Sequence, residues 1–116
     1  MQPLLVLCAC PDEASAARIA QALVEERLAA CVTRLSGARS VYRWQGAIEQ
    51  ADEVQLLIKT AQSHYAALER RVLALHPYDV PEVLVLPVVA GHGAYLDWMD
   101  AQLGQDAGTG CLFPEE

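Results

Sequence analysis

Basic residues are scarce in this chain. It carries 8 lysines and arginines against 15 aspartates and glutamates, a formal net charge of −7 over 116 residues. The only adjacent basic pair is Arg70-Arg71. Because contacts to phosphates dominate the binding of nucleic acids, a chain without a basic stripe is not expected to have a nucleic-acid partner. An acidic field favours cations over anions as ligands.

Motifs of common enzymes and of membrane proteins are also absent. The sequence has no Gly-x-Ser-x-Gly, no P-loop and no His-Glu-x-x-His, so we expect that the protein is not an enzyme. The apolar run near its start is short and stops at Pro11-Asp12, which predicts neither a signal peptide nor a membrane span, and hence no membrane partner. Four cysteines without a Cys-x-x-Cys pair exclude a zinc ribbon and favour reduced thiols in a cytoplasm.

Apolar residues are abundant instead, at 53% of the chain, and their spacing predicts the fold. Helical periodicity and strand-forming runs alternate in the order β-α-β-β-α-β-α. The strands are predicted at 4–10, 30–37, 53–59 and 83–89, the long helices at 12–28 and 62–75, and a turn at Gln45-Gly46. This order is typical of the ferredoxin-like split βαβ sandwich, an α+β fold in which helices cover one face of an antiparallel sheet.

The strands at 4–10 and 83–89 are apolar on both faces rather than alternating. A sheet face that meets water should be polar at every second residue. We therefore expect another subunit to cover the face that the helices leave open. The ferredoxin-like domain is predicted to span residues 1–103, and the Gly-rich, acidic segment 104–116, which contains Cys111, is predicted to be a loose tail.

Four ordered blocks of sequence resemble the CutA divalent-cation-tolerance family. They read CPDEASAARIAQALVEERLAACV, GARSVYRWQGAIEQADEVQLLIKT, HPYDVPEVLVLPV and YLDWM, and the resemblance runs from Leu4 to Leu103. It implies a ferredoxin-like subunit, a tight cytoplasmic homotrimer, and a link to copper and other divalent metals. The ligands proposed for the family map onto Cys8 and His76 in this chain. Some relatives carry a second histidine where Leu75 stands here, a loss for which Cys10 could compensate.

Cys8, Cys10 and His76 form the first candidate site. Two cysteines two residues apart on a strand face the same side of the sheet. Thiolate and imidazole are ligands that suit copper, and Cu(I) especially. The competing interpretation is structural, since free cysteine is a common core residue and a histidine at a helix end often caps carbonyls. His64 and His92 have no evident partner and are expected at the surface.

The second candidate site is a cleft between subunits, formed by Arg43, Trp44, Lys59, Tyr78 and Glu82. Such a cleft fits a sensor like the PII signalling proteins, which would bind a small anionic ligand. Against this, aromatic residues such as Trp44 are more often found in interfaces or cores, and a lysine at a strand end often only extends to water. A third interpretation is a structural trimer without a native ligand. In all three, the segment HPYDVPE is predicted to be a rigid joint between a helix and a strand.

Overall fold

The computed structural model describes residues 1–104, and the predicted tail from residue 105 onward, with Cys111, lies outside them. Within this range the elements are β1 (Pro3–Cys10), α1 (Glu13–Glu25), β2 (Cys31–Trp44), β3 (Ala47–Ala61), α2 (Gln62–Leu75), β4 (Leu84–Pro87) and α3 (Gly93–Gln102). The strands form one sheet in the order β2-β3-β1-β4, and every neighbouring pair is antiparallel. The predicted α+β fold is confirmed.

The core lies between the sheet and the two long helices. Every second residue of β1 is fully buried on this side, and α1 and α2 supply the facing apolar stripes. The fully buried members of the core include Leu4, Val6, Cys8, Cys10, Ile19, Leu23, Leu56, Ile58, Leu68 and Val72. Burying a large aliphatic side chain contributes roughly 1.5–3 kcal/mol, so this layer fixes β1 beneath both helices.

The helix boundaries follow local signals. Asp12 accepts a hydrogen bond of 2.8 Å from the Ser15 amide and so caps the start of α1. This helix ends three residues earlier than predicted, because Arg27 adopts a left-handed conformation with φ of 57°. The bounds of α2 match the prediction. Pro77 follows directly after its last turn and forces His76 into extended geometry.

The strands β2 and β3 form a hairpin much longer than predicted. We expected β2 to stop at Gly37, and that expectation is wrong: the strand continues to Trp44 through a register shift between Leu35 and Ala38. Gly37 takes a φ of 82°, which allows the bulge without steric cost. The predicted turn at Gln45-Gly46 is confirmed, with positive φ at both residues as a tight hairpin requires.

The face of the sheet opposite the long helices is apolar and mostly open in the single chain. Leu35, Leu84 and Leu86 lie on it and are exposed, while α3 covers only one end, where Met99 packs with Ala61. No helix in the described range is long and apolar enough to cross a membrane. The open face is the surface that the sequence predicted another subunit would cover.

Candidate metal centre

The final residues of β1 place two thiols beneath the helices. Cys8 and Cys10 pair with Leu56 and Val54 of β3, and both are fully buried. Because side chains alternate along a strand, the two sulfurs point to the same side, as the sequence predicted. Neither forms a disulfide. Cys31, on β2, is only half-buried.

His76 reaches the same place from the end of α2. The residue is 8% exposed. Nε2 lies 2.7 Å from the Ala9 carbonyl oxygen, and Nδ1 accepts a hydrogen bond of 3.1 Å from the Tyr78 amide. A ring nitrogen that accepts from an N–H carries no proton, so the proton sits on Nε2 and is donated to Ala9. In this neutral tautomer both ring nitrogens form hydrogen bonds.

The two sulfurs and a ring nitrogen of His76 converge. The three ligand atoms lie within 4.8 Å of one another, and all three residues are buried. Metal–sulfur bonds of about 2.3 Å and metal–nitrogen bonds of about 2.0–2.1 Å would place two ligand atoms on one ion roughly 3–4 Å apart. Small side-chain rotations would therefore let the three atoms share one metal ion.

The pKa values of the two thiols are shifted in opposite directions. A hydrogen bond to Cys10, together with burial and the nearby carboxylates of Glu82 and Glu53, raises the pKa of the Cys8 thiol. The same hydrogen bond, acting against burial, lowers the pKa of Cys10. The thiolate is the form that binds metal, so the lowered pKa of Cys10 favours metal binding at this pair.

Glu82 stands beside this cluster. Its Oε1 atom is buried and has no hydrogen-bond partner within residues 1–104. Its charge contributes to the raised pKa of Cys8, which places the carboxylate close to the thiols. A buried carboxylate oxygen without a donor is costly, so this atom is suited to accept a ligand or a hydrogen bond from outside the described residues.

A cleft of about 610 Å³ opens next to the cluster, between the β2–β3 hairpin and the joint at residues 76–82. Of the five predicted cleft residues, Trp44, Tyr78 and Glu82 line it, whereas Arg43 and Lys59 do not. Lys59 instead donates a hydrogen bond of 3.2 Å to the Tyr95 hydroxyl on α3, which raises the pKa of Lys59. Within one chain, Arg43 and Lys59 thus lie outside this cleft, and the predicted cleft between subunits stays a prediction.

The first residues of the joint are tied to the sheet by two side chains. The Tyr78 hydroxyl donates to Glu53 on β3 at 3.1 Å, and its ring lies 4.9 Å from the His76 ring. Partial burial and the Glu53 carboxylate raise the pKa of Tyr78 to about 12. Together with the bond from His76 to Ala9, these contacts fix the loop against β1 and β3.

The position of His64 was mistaken. It was expected at the surface, but it is buried, with Nε2 2.8 Å from the Gly104 carbonyl and Nδ1 2.8 Å from the Ser63 hydroxyl. The signal was present in the sequence, because His64 lies four residues before Leu68 and so falls on the buried stripe of α2. His92 is exposed, as expected.

These features define an α+β domain of ferredoxin-like topology, with two thiols and an imidazole gathered under its helices. The family model described as CutA1 divalent ion tolerance protein matches residues 4–102, and the chain belongs to this family. The Divalent-cation tolerance protein CutA of Pectobacterium atrosepticum is 54% identical over 100 residues, which cover 86% of this chain and 91% of that protein.

Solved structures agree with this assignment. The crystal structure of CutA from Xylella fastidiosa has a TM-score of 0.87 and 48% identity, over 90% of this chain and all of that one. A structure from Archaeoglobus fulgidus, described as a periplasmic divalent cation tolerance protein CutA, has a TM-score of 0.84 and 33% identity, over 86% of this chain and 97% of that one. The resemblance inferred from the four sequence blocks is confirmed.

Proposed function

We propose that this CutA-family protein is a binding protein, not an enzyme, and that it holds copper or another soft metal ion through Cys8, Cys10 and His76. The observation that carries the proposal is the convergence of the three ligand atoms within 4.8 Å. Two thiolates and an imidazole form a soft ligand set, which favours Cu(I) over hard cations such as Mg²⁺. The third ligand is Cys10, which takes the place of the second histidine that some relatives carry.

Metal binding must compete with the existing hydrogen bonds of His76. Coordination through Nδ1 displaces the Tyr78 amide, and coordination through Nε2 displaces the Ala9 carbonyl. Leaving one such buried group unsatisfied costs about 1–3 kcal/mol. Thiolate-rich sites for structural zinc contribute about 10–16 kcal/mol at neutral pH, so a comparable metal–ligand energy exceeds this cost.

Glu82 would widen the range of metal ions that the proposed site can bind. A carboxylate oxygen is a harder donor than a thiolate and suits divalent ions such as Zn²⁺ or Cu²⁺. Its buried Oε1 lacks a partner within the described residues, and its charge contributes to the raised pKa of Cys8. A site that combines the two kinds of ligand is consistent with tolerance to several divalent cations.

The decisive test is anaerobic Cu(I) titration of reduced, metal-free protein against a chromophoric competitor ligand. Cys8→Ser, Cys10→Ser and His76→Ala should each weaken binding strongly. Double variants should lose little more, because any one change already dismantles the site. Cys31→Ser is the matched control, since Cys31 is a free thiol outside the cluster. Equal affinity in all five proteins would refute the site.

We also propose that the protein assembles as a homotrimer. Two surfaces support a partner: the leucine-rich open face of the sheet, and the hairpin, where Val41 and Ile48 are 62% and 61% exposed. Contiguous apolar surface of this kind marks an interface between proteins. Light scattering should give about three times the 12.6 kDa mass of the chain. A folded monomer would contradict both the trimer and the burial argument.

The cytoplasm is the compartment that we propose, because the metal centre requires reduced thiols. Cys8 and Cys10 are free in the structure and buried. The relative from Archaeoglobus fulgidus is described as periplasmic, where an oxidising environment would oppose a dithiol site. Cell fractionation with an antibody to the untagged protein decides between the two compartments, and recovery in the periplasmic fraction would contradict the proposal.

A further inference from the structure

Two kinds of side chain line the cleft beside the proposed metal centre, namely aromatic rings and carboxylates. Three aromatic rings line it, those of Tyr42, Trp44 and Tyr78. Three carboxylates line it as well, those of Glu53, Asp79 and Glu82. The remaining lining residues, all uncharged, are Ala9, Ser40, Pro77 and Val80. Within the described range, therefore, no basic side chain offsets the acidic charge of this cleft.

The bulge in β2 is what directs the aromatic rings into the cleft. Beyond the register shift, Ser40, Tyr42 and Trp44 occupy alternate positions and so share one face of the hairpin. The joint brings Tyr78 to the opposite wall. In the single chain Trp44 is 53% exposed and Tyr78 is 37% exposed, so a ligand has access to both rings unless a second copy of the chain covers them.

No ion pair among the described residues involves the carboxylates of the cleft. Glu53 receives a hydrogen bond from the neutral Tyr78 hydroxyl rather than from a cation, and Oε1 of Glu82 has no hydrogen-bond partner in the described chain. Oε1 of Glu82 therefore demands a donor or a positive charge, because a buried acceptor left unsatisfied is costly. The ligand that fits must supply positive charge to the acids and an apolar surface to the rings.

We propose that the cleft binds a small organic cation of the alkylammonium or quaternary ammonium class. An ammonium group over aromatic faces gains cation–π attraction, and carboxylates at the rim neutralise its charge. A hydrated metal ion would not use the rings, and a small anion would be repelled by three acids. The volume of about 610 Å³ lies in the ordinary range of small-molecule sites, roughly 300–1,000 Å³.

The test uses choline as the probe and neohexyl alcohol as its neutral counterpart, in which carbon replaces the quaternary nitrogen. The chain has two tryptophans, so Trp98→Phe leaves Trp44 as the single fluorescent reporter in the cleft. Full-length, metal-free protein is titrated with each compound. Choline should saturate and bind about tenfold more tightly than the alcohol, since cation–π contacts contribute roughly 0.5–2 kcal/mol. Equal response to both compounds would overturn the proposal.

Three variants test whether choline binds to the carboxylates of the cleft or responds only to the net negative charge of the protein. Glu53→Gln and Glu82→Gln each remove one charge from the lining, whereas Asp97→Asn removes the same charge from an exposed position on α3 outside it. The first two should weaken choline binding, and the third should leave it unchanged. Equal weakening in all three would mean that the probe responds to net charge alone and would refute the site.

A second copy of the chain is the competing occupant of the cleft. In that case choline would not bind the intact assembly, and Trp44 fluorescence would change only on dissociation. Cys8→Ser separates this proposal from that of the metal centre, because it removes a metal ligand outside the cleft lining. Choline binding should survive the change, and its loss in a folded Cys8→Ser protein would count against an independent site.

Discussion

Replacing His76 by alanine should destabilise the metal-free protein by about 2–3 kcal/mol. The change removes two hydrogen bonds, from Nε2 to Ala9 and from the Tyr78 amide to Nδ1. Each such bond contributes about 1 kcal/mol net, and a buried partner left unsatisfied adds to the loss. His76 is 8% exposed, so water can reach the vacated space only in part. This limits how far solvent offsets the loss.

Two further variants measure how much each of the two hydrogen bonds of His76 contributes to the loss of stability. In His76→Asn the side-chain oxygen can take the place of Nδ1 and accept from Tyr78, while in His76→Gln the side-chain amide can take the place of Nε2 and donate to Ala9. Each should recover roughly half of the loss. His92→Ala is the control, since His92 is exposed and a surface substitution of this kind usually changes stability by less than about 0.5 kcal/mol.

The assay is urea unfolding followed by far-ultraviolet circular dichroism, with a chelator present. All variants are compared at one protein concentration, because the apparent stability of an oligomer depends on it. With an m-value of about 1–3 kcal/mol per molar urea, the midpoint for His76→Ala should fall by about 1 M. If His76→Ala unfolds at the same midpoint as His92→Ala, the joint is not held by these bonds.

Three other changes test single features of the fold by the same unfolding assay. Gly37→Ala should cost about 1 kcal/mol because φ is 82°, whereas Gly93→Ala, which also meets no atom within 4 Å but has no positive φ, should not; equal effects would contradict the role of the bulge. Thr60→Val should cost about 1–2 kcal/mol, since the buried hydroxyl donates to the Leu28 carbonyl at 2.7 Å; no loss would mean that water replaces it. The backbone hydrogen bond at the start of α1 lowers the pKa of Asp12, so the stability it contributes is present at neutral pH and lost as the pH falls through that lowered value. The difference between the wild type and Asp12→Ala should therefore shrink toward acid pH, and a constant difference would refute the argument.

The elements that the sequence predicted well are those whose signals are local. The helix from Gln62 to Leu75 is bounded by a strand before it and a proline after it, and the turn at Gln45-Gly46 needs only two residues with positive φ. Gly37 shows where local signals fail. A glycine in a strand can end the strand or form a bulge in it, and only the pairing of β2 with β3, the other strand of the hairpin, decides which.

The proposed metal ligands and the cleft also combine local signals with signals that depend on the whole fold. That Cys8 and Cys10 share a face follows from strand alternation alone, whereas their distance from His76 depends on a sheet order that places β1 under the end of α2. The predicted cleft between subunits combined Trp44 with Arg43, its neighbour in the sequence. Neighbours on a strand face opposite ways, and within one chain Trp44 lines the cleft whereas Arg43 does not.

The proposed metal centre and the cleft depend on the same two residues, so binding at one is expected to affect binding at the other even if their ligands differ. Ala9 and Tyr78 line the cleft, and the same two residues hold the imidazole of His76 by its two nitrogens. A metal ion that takes either nitrogen must release one of these residues and so disturb the wall. By thermodynamic reciprocity, a cation bound in the cleft must then alter the affinity for metal by the same factor. The segment HPYDVPE is therefore a rigid joint whose rigidity is tied to the occupancy of His76, and each proposed ligand acts on it from a different side.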